Sequence, residues 1–375
     1  MLVACRTAPA ATSPTPAPSA TETATPTPTA SPTPLPTATR PGIVVSAAGR
    51  LPADHAFVLT QNTGAERVLL LDLAAKKSYE VVRFDRPASS PRSVVMSDSA
   101  GTEVVAVLER SGATTLLHIV FAATGRLRTL PQPEGVDGPQ TSPDGSVVAV
   151  TRKSPDPALS GVWLIPTDGS AARRIVAAAP NNDTPQPVAW SSDGRWLAYF
   201  RPIQGGPPQV VAIDTRSTGG DARELSGIDA VWVGDHRVVT WINRAQAGEL
   251  PTVRRYDTNT RTTAILFTAG ADETIQDAVA VGTTSQGEPR LAVVTAPFSN
   301  LTPTTPRSVI LVDPGQPPRI LRQFSFLVRV WWSADGQHLY VRGGGDDSVG
   351  GVTDVLGTWG SMPFCLRGGD PPSCV

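Results

Sequence analysis

The sequence predicts an all-β fold built from repeats, on three observations. The apolar runs are short and rich in β-branched and aliphatic residues: "HAFVLT", "RVLLLDL", "SYEVVRF", "EVVAVLE", "LLHIVF" and "VWLIP", each bounded by Gly, Pro, Asp or Ser. That is the length and punctuation of strands. A Ser-x-Asp-Gly turn stands directly before a strand in "TSPDGSVVAVTR", "WSSDGRWLAYFR" and "WWSADGQHLYVR". The same turn, strict or degenerate, returns along the chain at a near-constant interval.

The pairs Asp144–Gly145, Asp193–Gly194 and Asp335–Gly336 form the strict turns. A short polar side chain there bonds nearby backbone N–H groups, and Gly accepts a positive φ, so each copy reads as the reversal of a β-hairpin. Asp54, Gly101, Asp235 and Gly287 mark degenerate copies, with a spacing of roughly 45 residues. A second set of strand–turn–strand segments falls between them, among them "VWLIPTDGSAARRIV", "VVAIDTRSTGGDARELS" and "VRRYDTNTRTTAILF". Two hairpins per period make four strands, the content of one propeller blade. Seven turns predict a single β-propeller of seven four-stranded blades. Six or eight blades are open alternatives if the first and last repeats share one blade. "ADETIQDAV" reads as a helical turn.

The repeats resemble the WD40-like β-propeller repeat of the periplasmic TolB family, which pairs a turn such as Thr141–Gly145 with a segment such as Val162–Gly169. Residues 138–180 and 186–226 match best, and the resemblance extends over about 42–368. It implies architecture rather than activity, because such blades serve binding scaffolds, translocation accessories and peptidase gates alike. Trp190, Trp232 and Trp332 stand shortly before their turns and are expected to fill the wedges between blades.

The N-terminus has a different composition. From Arg6 to Pro41 the chain is almost entirely Pro, Thr, Ala and Ser, too poor in apolar area to offset the entropy of ordering. It reads as an extended tether of about 3.1 Å per residue. "Leu2-Val3-Ala4-Cys5" before it resembles a bacterial lipobox, which implies lipidation of Cys5, membrane attachment and a place in the cell envelope outside the cytoplasm. The domain plan is thus 1–5 lipobox, 6–41 tether and 42–375 propeller. Cys365 and Cys374 flank a Gly- and Pro-containing stretch and suit a local disulfide in an oxidising compartment. That disulfide would pin the last blade, next to "GIVVSA" of 42–47 in the first.

A net charge of −1 offers no phosphate-binding face, so nucleic acid is not an expected partner. Metalloprotease, P-loop, dinucleotide and nucleophile-elbow motifs are absent. No cofactor is expected. The four histidines, His55, His118, His236 and His338, are expected on the surface, mostly beside turns and too dispersed for a metal site. The turn aspartates are expected to stabilise their turns rather than bind calcium, which needs six to eight converging oxygens. Asp346 and Asp347, in "GGGDDSVGGVTD", are expected in a loop, with Ca²⁺ as the alternative. The expected function is a monomeric, non-catalytic scaffold for an envelope protein, glycan or small ligand. The alternative is a hydrolase or lyase acting in the central funnel.

Overall fold

The computed structural model describes residues 39–354, with 41, 63–64, 76, 86–91, 97–98, 101, 113, 180–183, 204–208, 218–221, 244–248, 284–288, 299–304, 325–327, 334–335 and 344–351 excepted. Cys5, Gly101, Gly287, Asp335, Asp346, Asp347, Cys365 and Cys374 lie outside the described residues. All regular structure in the described residues is β, in seven antiparallel sheets. No helix among them is long and apolar enough to cross a membrane.

The third, fourth and fifth sheets follow the predicted plan. Each runs in chain order from an inner strand to an outer one: Val136–Thr141, Val147–Arg152, Gly161–Pro166 and Arg173–Ala177, then Gln186–Trp190, Trp196–Arg201, Gln209–Asp214 and Ala222–Leu225, then Asp229–Val233, Arg237–Ile242, Thr252–Asp257 and Thr262–Thr268. The second sheet (Arg92–Met96, Val104–Ser111, Thr114–Phe121, Arg126–Gln132) and the sixth (Glu273–Thr283, Pro289–Pro297, Arg307–Val312, Arg319–Phe324) do the same. Three strands describe the seventh: Val328–Trp332, Leu339–Gly343 and Val352–Asp354. The helical turn expected near Glu273 is instead the start of the long inner strand Glu273–Thr283. Pairing with Pro289–Pro297 along its whole length overrides the local preference of "DETIQD".

Alternation explains why the second strands read as continuous apolar runs. Along Val104–Ser111, Val105 and Val107 face the first sheet while Val104, Ala106 and Leu108 face the third. Both faces are buried, so both parities must be apolar. The same logic yields seven apolar clusters among the described residues, one for each pair of neighbouring sheets. The last joins Trp331 and Tyr340 of the seventh sheet to Ala56, Val58, Leu69 and Leu71 of the first. The row of sheets therefore closes on itself.

The first sheet departs from the plan. His55–Asn62, Ala65–Asp72 and Lys77–Asp85 form its body, and Ser99–Ala100 pairs with Ala56 and Phe57 at its inner edge. Ile43–Val45, from the segment expected at the closure, lies on the outer side, between Val82–Phe84 and the two-residue edge strand Thr39–Arg40. Ile43 and Val45 are buried there and join the cluster with the second sheet. Among the described residues, the seam between the seventh and first sheets is apolar; the C-terminal segment expected at the closure, with Cys365 and Cys374, lies outside the described residues.

Candidate interaction surface

The turns at Asp144 and Asp193 are held by their own hydrogen bonds. Ser142 Oγ donates to Asp144 Oδ1 at 2.6 Å and accepts from Val147 N at 3.0 Å, while Ser146 N and Oγ donate to the two Asp144 oxygens. Ser191, Asp193, Arg195 and Trp196 repeat the pattern, with Ser191 Oγ donating to Asp193 Oδ1 at 2.6 Å. Partial burial raises the pKa of Asp144, but the hydrogen bonds from Ser142 and Ser146 together outweigh it and leave the carboxyl below its usual value. Gly145, at φ 68°, has no room for a Cβ, which would lie 2.4 Å from Val104 of the second sheet. Gly194 and Gly336 also have positive φ. No cluster of metal-ligating side chains occurs among the described residues.

The tryptophans pack between sheets and tie the inner strands together. Trp190 Nε1 donates to Gln140 O of the preceding sheet at 3.1 Å, and Trp232 Nε1 donates to Ala189 O at 3.0 Å. Trp332 packs in the cluster between the sixth and seventh sheets.

Two histidines are not on the surface. His55 is buried, with ring nitrogens 2.7 Å from Pro52 O and 2.9 Å from Thr102 O. His118 lies mid-strand, fully buried, with Nε2 2.7 Å from Glu109 Oε2 and Nδ1 3.0 Å from Thr129 Oγ1. Expecting surface histidines missed that these strands are buried on both faces, so even their polar residues point into a blade junction and must be paired there. The His118–Glu109 pair is sealed between the first and second sheets against Phe84. His236, by contrast, stays at the surface, 3.6 Å from Asp257.

A distinct surface lies at the opposite ends of the strands from the Ser-Asp turns. The described residues contain seven exposed large apolar side chains. Three are on strands, Ile265 and Ile320 on outer strands and Tyr79 on Lys77–Asp85. The other four, Leu159, Ile203, Leu250 and Phe298, are 50%, 36%, 44% and 49% exposed. Each sits in the loop between the second and third strands of its sheet, in four consecutive sheets from the third to the sixth.

The Leu159 loop is held in shape by its own polar groups. Ser154 N donates to Ser160 Oγ at 2.8 Å, Ala158 N to Asp156 Oδ1 at 2.8 Å, and Arg174 Nη1 to Pro157 O at 3.1 Å. Trp163 Nε1 donates to Leu159 O at 3.0 Å, and the Arg152 guanidinium covers the Trp163 ring at 4.2 Å. Phe298 is fixed through its backbone N, which donates to Asp272 O at 2.7 Å. An aliphatic side chain displayed on an ordered loop pays little entropy on being covered.

No family model matches the chain, and no curated protein matches it significantly in sequence. Solved structures do match in fold. One, from a study of two prolyl endopeptidases, has a TM-score of 0.58 at 12% identity and covers 87% of this chain. The match spans 48% of that chain, so this protein covers about half of its length. An oligogalacturonate lyase in complex with manganese matches with a TM-score of 0.50 at 11% identity, over 82% of this chain and 84% of its own. A putative TolB from Agrobacterium tumefaciens matches with a TM-score of 0.47 at 15% identity, over 78% and 99% respectively. The chain is a β-propeller. Identities this low speak to fold alone, and the fold serves enzymes and binding proteins alike.

Proposed function

We propose that this β-propeller is a non-catalytic binding scaffold, held outside the cytoplasm through a lipidated Cys5 and the tether of residues 6–41, and that its partner is a protein seated on the loops between second and third strands. The observation that carries the reading is the recurrence of Leu159, Ile203, Leu250 and Phe298, exposed at equivalent loops of four successive sheets. Scattered exposed apolar residues are ordinary, but a set placed by the repeat itself marks an interaction face. Three of the four are aliphatic, which favours a protein surface over a sugar ring. Arg152 stacked on Trp163 beside Leu159 supplies the Arg and aromatic types that interface centres favour. The Glu109–His118 pair is no candidate for acid–base catalysis, since no substrate reaches side chains that are 3% and 0% exposed.

The test is co-purification of the full-length protein from the cell envelope with its partner, comparing the native chain with a variant carrying Ser at 159, 203, 250 and 298. The variant should fold normally and lose the partner. Retention of the same partner by the folded variant contradicts the reading. The anchor is tested separately: Cys5→Ala should move the protein from the membrane to the soluble fraction.

A further inference from the structure

The outer strands carry a repeated register position, opposite the residue two places before the end of the third strand. It is Arg128 opposite Ile119, Arg173 opposite Leu164 and Arg223 opposite Ala212. It is Tyr79 opposite Leu70 in the first sheet, Ala264 opposite Arg255 in the fifth and Ile320 opposite Ile310 in the sixth.

At two of the three arginine positions the side chain bonds to the next sheet, while Arg223 lies over Trp196 of its own sheet. Arg128 Nη1 donates to Thr167 O at 2.6 Å, and Arg173 Nη2 donates to Thr215 O. Both acceptors stand at the same point of the turn between third and outer strands, one residue after the carbonyl that closes that turn: Pro166 O accepts from Gly169 N, and Asp214 O from Ser217 N. In the sixth sheet Asp313 O accepts from Gln316 N, so the corresponding carbonyl belongs to Pro314. Among the described residues nothing donates to it.

The junction of the fifth and sixth sheets is open at the place where Arg128 and Arg173 fill the second–third and third–fourth junctions. A groove of about 300 Å³ lies there, lined by Ile265, Leu266, Pro289, Pro314, Gly315 and Gln316. Leu266 follows Ala264 by two residues as Leu130 follows Arg128, and Leu130 and Arg128 both approach the turn of the third sheet, each 3.8 Å from where a Cβ on Gly169 would stand. Asp313 also lines it, but its carboxylate is already paired with Arg290 at 2.6 Å, so the backbone carbonyl is the acceptor on offer. The groove thus has the apolar wall, the turn and the carbonyl of an arginine seat, and lacks the arginine.

We propose that this groove binds an arginine side chain of a partner polypeptide, supplied in trans to the seat that Arg128 and Arg173 fill in cis. A guanidinium suits it because its stem packs on Ile265 and Leu266 while its planar fork donates to the carbonyl. The site lies at the opposite strand ends from the loop face described above and does not rest on it.

The experiment titrates the full-length protein with N-acetyl-arginine amide and, as control, N-acetyl-citrulline amide, which keeps the shape and loses the charge. Saturable binding of the arginine compound is expected in about the millimolar range, at least tenfold tighter than the citrulline compound. Ala264→Arg, which installs the residue that three other sheets carry, should fold and abolish binding. Gln316→Trp, at an exposed turn, should block the same seat without touching a strand. Absence of saturable binding, equal binding of the two probes, or binding unchanged in both variants overturns the proposal.

Discussion

Tyr340 Oη lies 3.5 Å from Asp54 Oδ2, across 286 residues of chain. The two come from the seventh sheet and from the turn before the first, and they mark the seam where the row of sheets closes. Beside this long polar contact the seam is apolar: Tyr340 and Trp331, 4% and 8% exposed, pack against Ala56, Val58, Leu69 and Leu71.

Tyr340→Phe should therefore cost under about 1 kcal/mol, whereas Tyr340→Ala should cost about 3 kcal/mol or more. Chemical denaturation of the two variants checks this. If the phenylalanine variant loses as much as the alanine variant, the hydroxyl rather than the ring holds the seam.

Glu109 and His118 make a buried pair whose removal in halves should be worse than its removal whole. Glu109→Ala should cost about 3–5 kcal/mol because His118 is left without its partner, and Glu109→Leu with His118→Leu should recover much of that loss. Unfolding midpoints of the singles and the double measure the coupling. Additive losses would show that the two residues act independently.

The turns carry a pH signature. Asp144 and Asp193 both have pKa values below the ordinary 3.8, with burial opposing and hydrogen bonds from Ser142 and Ser146, or from Ser191 and Arg195, prevailing. A carboxyl with a depressed folded pKa contributes stability that is present above its unfolded value and is lost as pH falls through the folded one. Stability should thus decline below about pH 4, in the range where these carboxyls take up protons. Asp144→Asn with Asp193→Asn should lower stability at neutral pH and flatten the decline, as thermal melts from pH 3 to 7 can show. An unchanged acid slope would place the titration elsewhere.

Trp232 donates its indole N–H to the Ala189 carbonyl of the neighbouring sheet. Trp232→Phe keeps most of the packing and leaves that carbonyl unpaired, at an expected cost of about 1–3 kcal/mol, cavity included. Trp190→Phe should behave alike, through Gln140. A neutral effect at both positions would mean that water replaces the indole.

The fold was legible because its signals are local. Asp144–Gly145 and Asp193–Gly194 announce turns by side-chain chemistry that needs no tertiary partner, and the period of those turns gives the architecture. What was not legible depends on register between distant strands. The outer place of Ile43–Val45 is set by pairing with Val82–Phe84, and the burial of His118 by which face of its strand meets the first sheet. The proposed interaction face was hidden for a related reason. Leu159, Ile203, Leu250 and Phe298 look like stray apolar residues in dissimilar loops until the sheets put those loops at equivalent places. Ala264 is likewise unremarkable until register sets it beside Arg128 and Arg173.

Site-specific photo-cross-linking in intact cells tests the central claim, that the loops between second and third strands form the binding face. A photoreactive residue would be placed singly at 159, 203, 250 and 298, and as controls at 79 and 320, which are exposed on strands away from those loops. The account predicts one common protein adduct from the four loop positions and none from the two controls. Adducts of the same protein from the strand positions, with none from the loops, would contradict it.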